Sequence, residues 1–198
     1  MPLNSTLELF TLLLYVDDNK PIKGKTRLTK LLFLLIKDDL FKNLEKEADF
    51  DANNFGPWSY TTGEDIPNTL KDLGIISIEK ETQEFSLFSN KSRDDLMIYK
   101  ITDKGKKVAQ KIISKITNEE LVMIEKIKSR WNSKTTEELI SYVYHNFISY
   151  TNKSKIREKI FKGTDFDPEL LEVVGIIPVI PLEDEKEYIK KVLAEKYL

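Results

Sequence analysis

The chain has no cysteine and only one histidine, His145, among its 198 residues. Disulfides and thiolate-bound metals are therefore excluded, and a lone imidazole cannot build a zinc site. Long apolar runs are also missing. The stretch from Leu9 to Val16 is too short to span a bilayer and is cut by Asp17-Asp18. The start, Met1-Pro2-Leu3-Asn4-Ser5, lacks a basic n-region. The expected compartment is the cytoplasm, with no membrane partner. Charge of one sign is lacking too: 31 Lys and Arg against 33 Asp and Glu leave a net charge of -2. No global field draws the molecule onto a phosphate backbone, so any nucleic-acid contact has to come from a local patch.

Several catalytic patterns are missing. No Glu-x-Lys triplet of the restriction-nuclease type occurs, and Gly24-Lys25-Thr26 lacks the glycine that precedes it in a P-loop. Acidic pairs stand at Asp17-Asp18, Asp38-Asp39 and Asp94-Asp95, but adjacent positions on a helix do not converge on one ion. No motif sets a serine beside His145. The expectation is a protein with no catalytic residue, no metal and no cofactor.

What is present is a packed, amphipathic chain. Hydrophobic residues make up 40% and charged residues 32%, enough for a core and a solvated surface. Ser5 or Thr6 caps a first helix through Phe10, Leu13 and Leu14. A second begins near Lys25 and buries Leu28, Leu31, Leu32, Leu35 and Ile36, running out around Leu40 to Leu44. Ala48 to Phe55 reads as extended. Ser59 caps a third helix, Tyr60 to Leu73, in which Pro67 kinks the path or starts a new helix capped by Asp65, and Ile66, Leu70 and Leu73 pack on helix two. Gly74 ends it.

Ile75 to Ile78 and Met97 to Ile101 read as two strands, joined by a long segment in which Phe85, Leu87 and Phe88 suggest a further strand. Thr102 or Asp103 caps a helix through Val108, Ile112, Ile113 and Ile116. Thr117 and Glu120 have capping-box spacing before a helix carrying Leu121, Ile124, Ile127 and Trp131. Another starts at Thr135 or Thr136. Val173 to Pro181 is broken by glycine and proline, and an amphipathic helix from about Glu183 closes the chain. The expected fold class is mainly α with minor β: a winged helix-turn-helix core over residues 1–116, and a helical extension with a C-terminal tail over 117–198, packed on that core.

Thr29-Lys30-Leu31-Leu32-Phe33, the turn Phe55-Gly56-Pro57-Trp58-Ser59, the helix end Leu73-Gly74, the step Ile101-Thr102-Asp103-Lys104-Gly105, and later Val143-Tyr144 with Lys153-Ser154-Lys155-Ile156 follow one another in order. In this the chain resembles the Panacea, or SocA-like, antitoxin domain and the related YwgA-like proteins. The resemblance implies a winged-helix-like core with added helices, no catalytic residues and, as in antitoxin members, a cognate toxin as protein partner.

Two sets of candidate binding residues follow. For a protein partner, or a second copy in a homodimer, they are Trp58 and Tyr60 at the turn, with Ile177, Val179, Ile189 and Leu193 of the tail. The alternative, a DNA-binding regulator, would use Lys23, Lys25, Arg27 and Lys30 at the start of helix two, with Asn68 and Lys71 on helix three. Helix three also carries Glu64, Asp65 and Asp72, which repel phosphates and favour the protein partner. Lysines at 104, 107, 111 and 115 share a helical face opposite the apolar one and read as solvated. The basic residues from Lys153 to Lys162 form a third cluster.

Overall fold

A central helix with nine consecutive buried residues organises the molecule. The computed structural model describes residues 3–83 and 94–161. Within them, α1 (Thr6–Tyr15) and α2 (Lys25–Ile36) supply the core: Leu9, Phe10, Leu12 and Leu13 are fully enclosed, and in α2 every residue from Leu28 to Ile36 is buried. A helix apolar on all sides must be covered on all sides. α2 packs against α1, α6 (Asn118–Asn132) and α7 (Thr136–Asn146). Phe33 anchors an edge-on aromatic cluster, its ring 5.2 Å from Phe50, 4.9 Å from Phe147 and 4.9 Å from Tyr150.

α2 stops at Ile36, earlier than its apolar pattern suggests. A 3₁₀ turn over Asp39–Leu44, capped by the Asp38 carboxylate on the Leu40 N–H at 3.1 Å, and the one-turn α3 (Glu45–Ala48) carry Phe41 and Leu44 into the core. The path from Tyr60 is helical but compound: a π-helical turn at Thr61–Asp65 leads into α4 (Ile66–Asp72). Ser59 Oγ accepts from the Thr62 N–H at 3.0 Å, as a cap should. Two expectations fail here. The Asp65 side chain makes no capping bond, because the preceding turn already supplies the backbone partners. Leu73 is 48% exposed, since α4 ends at Asp72 and the chain turns outward toward Gly74, which has a left-handed φ of 68°.

The sheet has three antiparallel strands in the order β1 (Ile22–Lys23), β5 (Asp94–Ile101) and β4 (Ile76–Gln83). Ile22 faces Tyr99, and Ile76 faces Ile101. β4 and β5 reach further than the apolar residues that announce them. Their outer parts carry Glu79, Lys80, Glu81 and Asp95, whose polarity hides a strand from a hydrophobic reading. The expected strand around Phe85 to Phe88 lies outside the described residues.

The step from β5 into α5 (Asp103–Ile113) is tight. Thr102 Oγ1 donates to the Gly74 carbonyl at 2.7 Å and accepts from the Gly105 N–H at 3.0 Å, while a Cβ on Gly105 would sit 2.1 Å from the Ile75 carbonyl oxygen. Glycine at 105 is thus required by a close approach of backbone. Both α6 and α7 open with complete capping boxes, Thr117 with Glu120 and Thr135 with Glu138.

α6 carries two buried charges directed at α1. Lys128 is wholly enclosed and donates to the carbonyls of Leu14 at 3.1 Å and Val16 at 2.8 Å, closing the C-terminus of α1 with a cation where the helix dipole favours one. Burial lowers its pKa to about 8. Glu120 accepts from the Leu3 N–H at 2.6 Å and from Thr117. Burial alone would raise its pKa, but these hydrogen bonds prevail and lower it.

Candidate functional site

β2 (Asp51–Asn53) and β3 (Gly56–Trp58) form a short hairpin whose two-residue turn is Asn54-Phe55. Gly56 has φ of 80°, and a Cβ there would meet the Tyr144 ring at 2.6 Å, so only glycine admits both the turn and the tyrosine. The hairpin is held from behind. Tyr144 Oη and Ser154 Oγ lie 2.6 Å apart, and the Lys155 N–H donates to the Asn54 carbonyl at 3.0 Å. Val143-Tyr144 and Lys153-Ser154-Lys155 therefore serve the same piece of structure as the aromatic-Gly-Pro-aromatic turn.

From this hairpin two groups face α2. The Pro57 carbonyl accepts from Lys30 Nζ at 2.6 Å. The Trp58 indole lies over Gly63, where a Cβ would come within 2.3 Å of its ring, so the π-helical turn is shaped to receive it. Lys25 Nζ lies 5.3 Å from the Trp58 ring centre and forms an ion pair with Glu64.

Between hairpin and helix is a cleft of about 270 Å³ lined by Lys25, Thr26, Lys30, Asn53, Asn54, Phe55, Gly56 and Trp58. Lys30 is only 2% exposed, and burial alone lowers its pKa to about 7. The Pro57 carbonyl is the one hydrogen-bond partner its three donors have among the described residues. The first turn of α2, which borders the cleft, contains no acidic residue, and Gly24 at its cap offers no side chain. Phe55 in the lining is 39% exposed, and Tyr60, two residues after Trp58, is 67% exposed.

The candidate residues separate accordingly. Trp58 lines the cleft, while Tyr60 is exposed outside its lining. Lys25 and Lys30 join Trp58 there, not as free phosphate-facing cations but held by Glu64 and by Pro57. Arg27 points the other way, to the Asn132 carbonyl and, at 3.2 Å, to Thr136 Oγ1, fastening the α6-α7 junction. Lys23 is exposed on β1, and Asn68 and Lys71 are exposed on α4. Ile177, Val179, Ile189 and Leu193 lie outside the described residues. Lysines 104, 107 and 111 are exposed along α5, and Lys115 is exposed in the turn after it. In the third cluster, Lys153 pairs with Asp51 at 3.0 Å and Lys159 with Glu137 at 3.5 Å. His145 Nδ1 sits 2.7 Å from the Ser141 carbonyl, and its ring is 5.0 Å from that of Phe161.

Sequence reasoning did not single out Thr26, Asn53, Asn54 and Phe55 as site residues. It also placed Lys30 in a surface series. The available signal was its position between Leu28 and Leu31 in a helix apolar on every side. A wider depression of about 570 Å³ between α6, α7 and α8 (Arg157–Phe161) is lined by Arg130, Lys134, Glu137, Glu138 and Lys159, whose charges largely pair with one another. Among the described residues no group of three or more His, Asp or Glu could hold a metal ion, and no helix is long and apolar enough to cross a membrane. Comparison of the chain with models of protein families, with curated proteins and with solved structures finds no match.

Proposed function

We propose that this is a non-enzymatic binding protein on a winged-helix-like core, antitoxin-like or an accessory subunit of a toxin-antitoxin or defence system, and that it takes a protein partner at the face around Trp58 and Tyr60. The observation that carries the reading is the aromatic rim. Phe55 and a half-buried Trp58 line the cleft, and Tyr60, two residues on in the chain, stands 67% exposed. Exposed large aromatics around a partly desolvated centre are the residue types that dominate protein interfaces. For the core, support comes from α1, β1, α2, α4 and the β4-β5 pair following in that order, with β1 paired to β5 and β5 to β4 as in a winged helix, while the 3₁₀ turn, α3, the β2-β3 hairpin and the π-helical turn are inserted between α2 and α4.

One observation favours DNA binding as a second reading: α4 presents Asn68, Thr69 and Lys71 to solvent, beside Asp65 and Asp72. Coexpression of the chain with the product of its neighbouring gene, followed by size-exclusion chromatography, separates the two readings. The protein-partner reading expects a complex that survives purification and that Trp58→Ala with Tyr60→Ala dissolves. A sequence-specific duplex complex that resists moderate salt and weakens on Asn68→Ala or Lys71→Ala would replace it with the second.

A further inference from the structure

The cleft beneath Trp58 has more chemistry than an apolar contact surface needs. Its lining holds two cationic side chains, Lys25 and Lys30, two amides, Asn53 and Asn54, and the walls of Phe55 and Trp58, with no carboxylate among the lining residues. A fully desolvated ammonium is costly unless an anion accompanies it. Yet the Lys30 ammonium meets one neutral carbonyl, and Glu64, the acid paired with the cleft residue Lys25, is committed to that lysine.

We infer that this cleft recognises an acidic side chain of the protein partner, whose carboxylate enters between Phe55 and Trp58 to pair with Lys30 while the amides of Asn53 and Asn54 donate to it. The inference rests on the protein-partner reading and names the chemistry of what that partner presents. The fit is one of charge and of size. A cleft of about 270 Å³ takes one or two side chains rather than a folded surface. Its walls are aromatic, so apolar neighbours of the acidic residue are accommodated, and its only open electrostatic demand is for negative charge.

Recognition of this kind is coupled to a proton. Without a carboxylate, burial holds Lys30 near pKa 7, so at mildly alkaline pH its amine is mostly neutral. With the anion beside it the ammonium is favoured, and binding takes up a proton. The charged or titratable groups on the packed elements are Lys25 on α2, Glu64 on the π-helical turn, Asp51 on β2 and Tyr144 on α7. Lys25 and Glu64 neutralise each other, Asp51 is bound to Lys153, and Tyr144 bonds to Ser154 with a pKa raised by burial, so the coupling falls on Lys30.

The test uses the whole chain and two blocked pentapeptides, one with glutamate between leucines and one with glutamine in its place. The readout is the Trp58 indole resonance, assigned with Trp58→Phe. Expected are binding of the glutamate peptide at least about tenfold tighter than the glutamine peptide, and a loss of about fivefold in its affinity from pH 7 to pH 8 with about tenfold more by pH 9. Calorimetry at about pH 8 in buffers of different ionisation enthalpy should show close to one proton taken up. Lys30→Met should abolish the preference for glutamate.

Equal binding of the two peptides, no binding of either, or an affinity independent of pH in the unaltered protein overturns the inference, and the last needs no variant to fold. Acetate that saturates the resonance as tightly as the peptide would mean a small-acid site and also overturns it. So would a mixed-sequence duplex that shifts the resonance where the peptide does not. A partner complex that Trp58→Ala with Tyr60→Ala dissolves but Lys30→Met leaves intact would keep the protein-partner reading and sink the carboxylate alone.

Discussion

Two lysines are buried among the described residues, Lys30 and Lys128, and both make stability depend on pH in the same direction. Lys30 titrates near 7 when folded and near 10.5 when not. Between those values the unfolded chain holds a proton that the native chain lacks, so stability rises with pH through that window. The gain from Lys30 between pH 7 and pH 9 is on the order of 2 kcal/mol. Lys30→Met should remove that part of the rise and leave the share due to Lys128, whose folded pKa is about 8. Urea midpoints of both proteins across the range measure the difference, and parallel slopes would show that Lys30 is not the group responsible. The fate of these two lysines was not legible in the sequence. A lysine is exposed by default, and what buries Lys30 is a carbonyl 27 positions away, and Lys128 one 114 positions away.

At the scale of elements, glycines and caps carry the local logic. Gly105→Ala would drive a methyl into the Ile75 carbonyl and loosen the junction of β4, β5 and α5, at a cost on the order of 2 kcal/mol readable in the thermal midpoint. The turn after α1 goes the other way. Asp17, Asp18 and Asn19 all have left-handed φ, at 54°, 54° and 57°. Asp18 is the exposed one, so Asp18→Gly should relieve strain and raise stability by about 0.5 kcal/mol, and a drop in the midpoint would count against strain at that position. Much at this scale could be read in advance: the Thr117 box, the Ser59 cap and the Gly74 stop are short-range signals, whereas the expected turn Phe55 to Ser59 proves to be strand β3 after a turn at Asn54-Phe55. β1, two residues long, could not, because its existence depends on β5 across the fold. Nor could the π-helical turn, whose shape answers to the Trp58 ring above Gly63.

For the molecule as a whole, burial is concentrated along α2 and falls away toward the distal part of β4. Amides from Leu31 to Leu35 should therefore exchange only through global unfolding, while those of Glu79 to Glu81 open locally and exchange orders of magnitude sooner. Deuterium uptake followed by mass spectrometry resolves the two classes, and equal protection would mean that the sheet and helices open as one unit. The mainly helical character was legible from periodicity. The meeting of hairpin and α2 around one cleft, with Tyr144 of α7 behind Gly56, was not, since it rests on contacts between residues far apart in the chain, such as Lys30 with Pro57 and Gly56 with Tyr144.

The bonds from α6 on either side of α1 have a consequence for how the chain is made. The segment that leads into α1 is held at Leu3 by Glu120 and the carbonyls at its C-terminal end by Lys128, so α1 is fastened on both sides by a helix made more than 100 residues later. During synthesis α1 can pack on α2, β5 and α5 first, but the clamp at its two sides cannot close until residues 118 to 132 have emerged. A nascent chain stopped at residue 116 would lack that clamp, and the part of α1 that α6 covers would stay open to chaperones for the time it takes to add the rest.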